Sequence, residues 1–185
     1  ISQTLITQID VLTDIATSFS NFTNLPAMRP ERLTIAQVLR RCVALHQQVR
    51  LAVAPGAEEA VVFADENLLV RTFNNLLLNA LQAIPTDRTA DVRARVELPA
   101  PGTVRISIED NGSGIDEDVR DKVFRPNFTT KETGSGIGLA VAKRGIESAG
   151  GKVWFETVVG EGTTFFIELP QAGSWGSDQF SEAGA

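Results

Sequence analysis

The sequence predicts an α+β fold: a two-layer sandwich in which three helices cover one face of a mixed, mostly antiparallel sheet. Three observations predict it. Leu69, Phe73, Leu76, Leu77, Ala80 and Leu81 mark the buried face of a long helix. Val92, Ala94, Val96 and Leu98 alternate against Val104, Ile106 and Ile108 across Pro101-Gly102, which is a hairpin. Val153-Trp154-Phe155 and Thr164 to Leu169 form two more apolar runs that close the sheet around Gly160-Glu161-Gly162. With 185 residues, 43% of them hydrophobic, the chain holds one well-buried domain and a modest appendage.

The remaining elements follow in order. Leu5, Ile9, Leu12, Ala16 and Phe19 step by four and three, the seam of a helix in a bundle or coiled coil over residues 1–25. A single helix of that kind needs a partner to be stable. Leu25-Pro26 stops it, and residues 26–30 form a linker around Arg29-Pro30. The compact domain spans 31–170. Thr34 and Gln37 form a capping-box signature for a helix running through Leu39, Val43 and Leu45. Strands at 49–53 and 60–63 are joined at Pro55-Gly56, and Asp65 caps the long helix, which Pro85 ends. Leu139 to Ala149 is helical and stops at Gly150-Gly151. From Gln171 the chain is rich in Gly, Ser and Ala, a loose tail over 171–185.

Bulk properties exclude several function classes. A net charge of −6 argues against a general nucleic-acid binder. One cysteine, Cys42, makes neither a disulfide framework nor a metal quartet, and its helical setting reads as a small buried hydrophobe. No apolar run is long enough to span a membrane and no secretory signal is visible, so a cytoplasmic location is expected, with a cytoplasmic part of a membrane-anchored protein as the alternative. The chain starts mid-pattern at Ile1, as if excised from something longer.

Two glycine-rich stretches concentrate the chemistry. Ile108-Glu109-Asp110-Asn111-Gly112-Ser113-Gly114-Ile115 is a strand that delivers a carboxylate and then breaks into a turn. Gly134-Ser135-Gly136-Ile137-Gly138-Leu139 feeds a helix, so backbone N–H groups and the helix end favour phosphate. A lone Asp-Asn-Gly is ordinarily a turn. In this company, Asp110 is expected to accept the exocyclic amino group of adenine. Guanine would place a carbonyl against that carboxylate, a mismatch of about 1–3 kcal/mol. Asn75 and Asn79 share one helix face amid apolar neighbours. Asn79 is expected to ligate a hydrated Mg²⁺, with Asn75 positioning phosphates. Phe124 to Lys131 reads as a lid, anchored by Phe124 and Phe128, with Thr130 and Lys131 reaching phosphate.

Together these boxes resemble the ATP-binding catalytic domain of bacterial sensor histidine kinases, in the superfamily that also holds gyrase-type, chaperone and mismatch-repair ATPases. The Asn box resembles Asn75 to Ala80, the glycine boxes Asp110 to Gly114 and Gly134 to Leu139, the phenylalanine box Phe124 to Lys131, and the closing strand motif Gly160 to Phe165. The match covers roughly residues 31–170 with every box in order. It implies ATP contacts from Asn75, Asn79, Asp110, Gly112, Gly114, Ile115, Phe124, Thr130, Lys131, Gly134, Ser135, Gly136, Ile137, Gly138, Leu139 and Thr164, with Asn75 and Lys131 in the catalytic role. It also implies that residues 1–25 are the second helix of a dimerisation and phosphotransfer domain, a homodimer through that bundle, and a response-regulator aspartate as the next phosphate acceptor. The Phe-Thr-Thr-Lys lid and Phe19-Ser20-Asn21-Phe22 look like nitrogen-regulation kinases of the NtrY type.

Departures from the pattern are Asn127, where the family places an apolar or aromatic residue, and Gln82, where a lysine is often found. The only histidine, His46, is expected on a helix facing solvent and lacks the acceptor motif. Hydrolysing members carry a glutamate four residues before the metal asparagine; here Asn75 occupies that place. A neutral amide accepts no proton at pH 7, so transfer to a histidine is favoured over hydrolysis. The rival readings are a gyrase- or chaperone-type ATPase and a non-catalytic ATP-binding scaffold.

Overall fold

The computed structural model describes residues 29–129 and 136–173. The expected bundle helix 1–25, the lid residues Thr130 and Lys131, and Gly134 and Ser135 lie outside the described residues, as does 174–185. The fold is α+β, as the sequence predicts. Five strands pair in the order β2 (Val49–Val53), β4 (Val92–Ala100), β5 (Thr103–Asp110), β7 (Gly162–Pro170) and β6 (Lys152–Val158). Only the β2–β4 pair is parallel; the rest are antiparallel, which makes the sheet mixed.

The central strand shows how the layers form. Along β5, Val104, Ile106 and Ile108 are fully buried while Thr103, Arg105 and Glu109 are only partly covered, the two-residue alternation of a sheet packed on one side. Against the buried side lies α2 (Glu66–Gln82), whose Leu69, Phe73, Leu76, Leu77 and Ala80 are at most 1% exposed. Each of the larger side chains contributes about 1.5–3 kcal/mol through burial. The Asp65 carboxylate caps this helix by accepting the Leu68 amide at 3.0 Å. Helices α1 (Ile35–Val43) and α3 (Gly138–Ser148) pack beside α2.

Several local expectations are corrected. The two strands joined at Pro55-Gly56 are present but fall in different sheets: β2 joins the main sheet, and β3 (Val61–Asp65) pairs with β1 (Pro30–Thr34) in a separate two-stranded ribbon. Part of the expected linker is therefore strand. Thr34 makes no side-chain cap, because it closes β1 opposite Val61 and the Ala60 carbonyl accepts the first helical amide, Ile35 N, at 3.1 Å. The helix stops at Val43, so Leu45 is 73% exposed and His46 falls in the following turn rather than on a helix. Cys42 is buried as expected, and burial pushes its thiol pKa up. The tail is anchored at its start: Gln171 N donates to Gly102 O at 2.9 Å and Ala172 N to Val61 O at 2.7 Å.

The open face of the sheet carries a charged and aromatic cluster. Trp154 stacks on Phe166 at 5.2 Å, with Lys152 and Arg105 over its ring at 5.0 and 5.7 Å. Glu168 accepts from Arg105 Nη2 at 2.5 Å and pairs with Lys152 Nζ at 2.7 Å. Burial works against the Glu168 carboxylate, but the hydrogen bonds from Lys152 and Arg105 outweigh it and hold its pKa below the usual glutamate value. A depressed folded-state pKa stabilises the fold above the ordinary value of 4.5, and that stabilisation is lost as pH falls through the depressed one. Glu168→Gln is therefore expected to lower stability in urea melts at pH 7, with the gap to the parent narrowing as pH falls below 4.5.

Candidate functional site

The carboxyl end of β5, the polar face of α2 and the start of α3 enclose a cleft of about 440 Å³. That lies within the roughly 300–1,000 Å³ usual for small-molecule sites. Asn75, Asn79 and Gln82 project from α2, Asp110 from the end of β5, and Gly136, Gly138 and Leu139 line it from the approach to and first turn of α3. The hydrophobic wall includes Leu78, Ile115, Val123, Phe128 and Phe165.

Asp110 is 5% exposed, and two backbone amides fasten its Oδ1: Gly112 N at 2.8 Å and Thr163 N at 3.3 Å. The first is an Asp-turn bond made by its own loop, the second comes from the paired strand β7. The turn that follows leaves no room for a side chain. A Cβ on Gly112 would stand 2.7 Å from Ala83 O and from Asp110 Oδ1, and one on Gly114, at φ +74°, would stand 2.4 Å from Val158 O.

The turn is tied down from both sides. On one side, Ile115 N donates to Thr157 Oγ1 at 2.9 Å, and Gly160 N to Ser113 O at 2.7 Å. On the other, Ser113 N donates to Ala83 O at 3.0 Å. Arg88 Nη1 reaches Asn111 O and Gly112 O at 2.7 and 3.0 Å, and Nη2 reaches Gly160 O at 3.1 Å. The Asn111 side chain completes the link, accepting Asp91 N and donating to Thr89 O, both at 2.9 Å.

Across the cleft, Asn75 Nδ2 donates to Gly138 O at 3.2 Å, which joins the amide face of α2 to the first turn of α3. Gly138 lies in ordinary contact with that amide, a Cβ there standing 3.4 Å from Asn75 Cγ. The early amides of α3, and the positive end of its dipole, thus open toward the same space as Asn79.

The structure brings together Asn75, Asn79, Asp110, Gly114, Ile115, Gly136, Gly138 and Leu139 among the sequence-derived candidates. Gly112 and Ile137 are buried behind the lining. Two expectations are corrected. Thr164 does not line the cleft: it pairs with Glu109 on the open side of the sheet, and Thr163, opposite Asp110, takes the inner place. Phe124 does not line it either, but packs on Phe155 and Phe165 at 6.0 and 6.2 Å and so roots the loop in the core. Phe128 is the lid aromatic at the cleft. Asn127, the departure from pattern, sits at φ +63°, a left-handed conformation that asparagine tolerates better than an apolar residue. Arg88, Thr157 and Thr163 escaped the sequence reading; for Thr163 the alternation with Phe165, Ile167 and Leu169 was the available signal.

Fold and cleft define the class, and the chain belongs to the histidine kinase-, DNA gyrase B- and HSP90-like ATPase family, whose model matches residues 64–173. Among curated relatives it is 34% identical to the sensor protein FixL of Bradyrhizobium diazoefficiens over 125 residues, covering 68% of this chain and 24% of FixL. It is also 34% identical to the sensor kinase CckA of Brucella abortus, covering 81% of this chain and 18% of CckA. The chain spans about a quarter or less of the length of these relatives. A solved catalytic domain of histidine kinase ThkA superposes with a TM-score of 0.67 at 28% identity, covering 78% of this chain and 97% of that one.

Gly114→Ala is expected to cost about 1–3 kcal/mol in denaturant melts, since it combines a left-handed backbone with a backbone clash.

Proposed function

We propose that this chain is the ATP-binding catalytic part of a two-component sensor histidine kinase. The observation that carries it is the pairing, across one cleft, of a buried, doubly fastened carboxylate with an amide-bearing helix face and the open start of a second helix. Asp110 selects adenine through its exocyclic amino group. Its fixed Oδ1 leaves the carboxylate in one orientation, so a guanine carbonyl meets an unaccommodating acceptor. Leu78, Ile115, Val123 and Phe165 supply the apolar walls for the base. The early amides of α3, with Gly134, Ser135 and Gly136 before it, receive the phosphates. Thr130 and Lys131 extend the same role from the lid.

Among the described residues no cluster of His, Cys, Asp and Glu forms a cation cage. Asn79 suits Mg²⁺ of the kind that keeps most of its water and shares phosphate oxygens. When bound, the ion offsets charge on the transferring phosphate. Asn75 commits its NH₂ group to Gly138 O and, as a neutral amide, takes no proton at pH 7. No general base therefore stands at that position, which favours an acceptor that is already nucleophilic. An imidazole nitrogen attacks the γ-phosphorus, the bond to the β–γ bridging oxygen breaks, and ADP leaves. His46 does not line the cleft, so the acceptor histidine belongs to another segment or subunit. The domain contributes positioning and charge stabilisation.

The names of the relatives, sensor protein FixL and sensor kinase CckA, support this reading, as does the likeness to a histidine-kinase catalytic domain. In the same reading, residues 1–25 form the second helix of a dimerising bundle, 26–30 the linker, whose last residue Pro30 already belongs to β1, and 31–170 the catalytic unit. The protein works as a homodimer in the cytoplasm, and the phosphate passes to a response-regulator aspartate. The Phe-Thr-Thr-Lys lid supports a place near the NtrY-type kinases.

Mixing the chain with a separately made acceptor-helix domain and radiolabelled ATP tests the reading. Labelled acceptor is expected; steady ATP hydrolysis with no labelled acceptor would instead indicate a gyrase-like ATPase. Asp110→Asn is expected to abolish ATP binding in calorimetry. Asn79→Ala is expected to weaken binding only when Mg²⁺ is present, and equal losses with and without the ion would remove Asn79 from the metal role.

A further inference from the structure

Arg88 stands out among the described cations. It lies on the exposed loop between α2 and β4, in a turn closed by its own amide donating to Pro85 O at 3.0 Å. Among the described residues it pairs with no carboxylate. Its guanidinium instead donates to three backbone carbonyls, those of Asn111, Gly112 and Gly160. These belong to two different turns: the one after β5 that presents Asp110, and the one between β6 and β7. A planar fork of fixed donors suits that task, which a single ammonium cannot perform.

We propose that Arg88 is a positioning residue for the cleft and sets its preference for adenine over guanine, an inference that rests on the ATP reading above. The peptide between Asn111 and Gly112 is held at both ends. Its N–H, on Gly112, donates to Asp110 Oδ1, and its C=O, on Asn111, accepts from Arg88 at 2.7 Å. Loss of the guanidinium releases the carbonyl end, lets the peptide turn, and loosens the amide that fixes the carboxylate. A carboxylate free to rotate accommodates guanine better and holds adenine less well. Asn111 serves the same clasp from the opposite partner, since its side chain binds Asp91 N and Thr89 O in the loop that carries Arg88. The loop thereby couples the end of the Asn-bearing helix to the Asp-bearing turn. Arg88 touches no base or phosphate in this account, and it is absent from the cleft lining.

The test is titration calorimetry with ATP and with GTP on the parent chain, Arg88→Ala, Arg88→Lys and Asn111→Ala, with thermal melts alongside. Arg88→Ala is expected to weaken ATP binding about ten-fold, the low end for losing a supporting hydrogen bond, and to weaken GTP binding less, so that the ATP:GTP ratio narrows. Arg88→Lys keeps the charge but not the fork and is expected to resemble Arg88→Ala in that ratio. Asn111→Ala is expected to shift it the same way, and it carries the test if Arg88→Ala fails to fold. Equal loss of ATP and GTP binding in Arg88→Ala, unchanged affinities, or a parent-like ratio in Arg88→Lys would overturn the inference. A parent chain that binds no ATP would overturn the functional reading itself, which is a different result from any of these.

Discussion

The site depends on one buried carboxylate whose hydrogen bonds come from both of the chain segments that flank it. A carboxylate this deep is costly unless its oxygens are satisfied. At Oδ1, Asp110 meets that demand with the amide of its own turn and the amide of the neighbouring strand. Both donors are backbone, so they are supplied by conformation rather than by residue type. Glycine is required at position 112 for the same reason, since any side chain would enter the space the carboxylate and the end of α2 already fill. The turn, the strand pairing and the chemistry are thus a single constraint expressed three times.

Much of this was legible before any coordinates. The period of Leu69, Phe73, Leu76 and Leu77 exposed α2, and the alternation at Val104, Ile106 and Ile108 exposed β5, because burial on one side leaves a repeat in the sequence. Asn75 and Asn79 stood out as amides where apolar residues surround them. Pairing partners were harder. Nothing local to residues 49–53 says that they join β4 in parallel, while β3 turns to β1. Such choices are made between distant segments, and short apolar strands carry little information about them. Thr34 shows a related limit: its capping signature is present, yet a strand partner already satisfies the helix end.

Arg88 and Thr164 illustrate two other blind spots. An arginine in a polar loop looks like ordinary surface charge until its acceptors are seen to be carbonyls in two separate turns. For Thr164 the motif drew attention to the right strand but not to the right side of it. The run Phe165-Phe166-Ile167 is apolar on both faces because Phe166 stacks on Trp154 across the open surface, so the alternation that would have picked Thr163 was blurred. On α2 the two demands coexist without blurring: one stripe fills the core, and the adjacent stripe offers Asn75, Asn79 and Gln82 to the cleft.

The match of Asp110 with Thr163 joins positions 53 residues apart along the chain. Strand side chains alternate, so sliding β7 by a single step would bring Thr164 opposite Asp110 and turn the inner threonine outward. The amide that helps hold the carboxylate would move with it. Ligand affinity in this architecture is consequently a readout of correct strand alignment, and a bound nucleotide would reward the properly zipped sheet over its misaligned rivals. The molecule checks its own assembly at the place where it does its work.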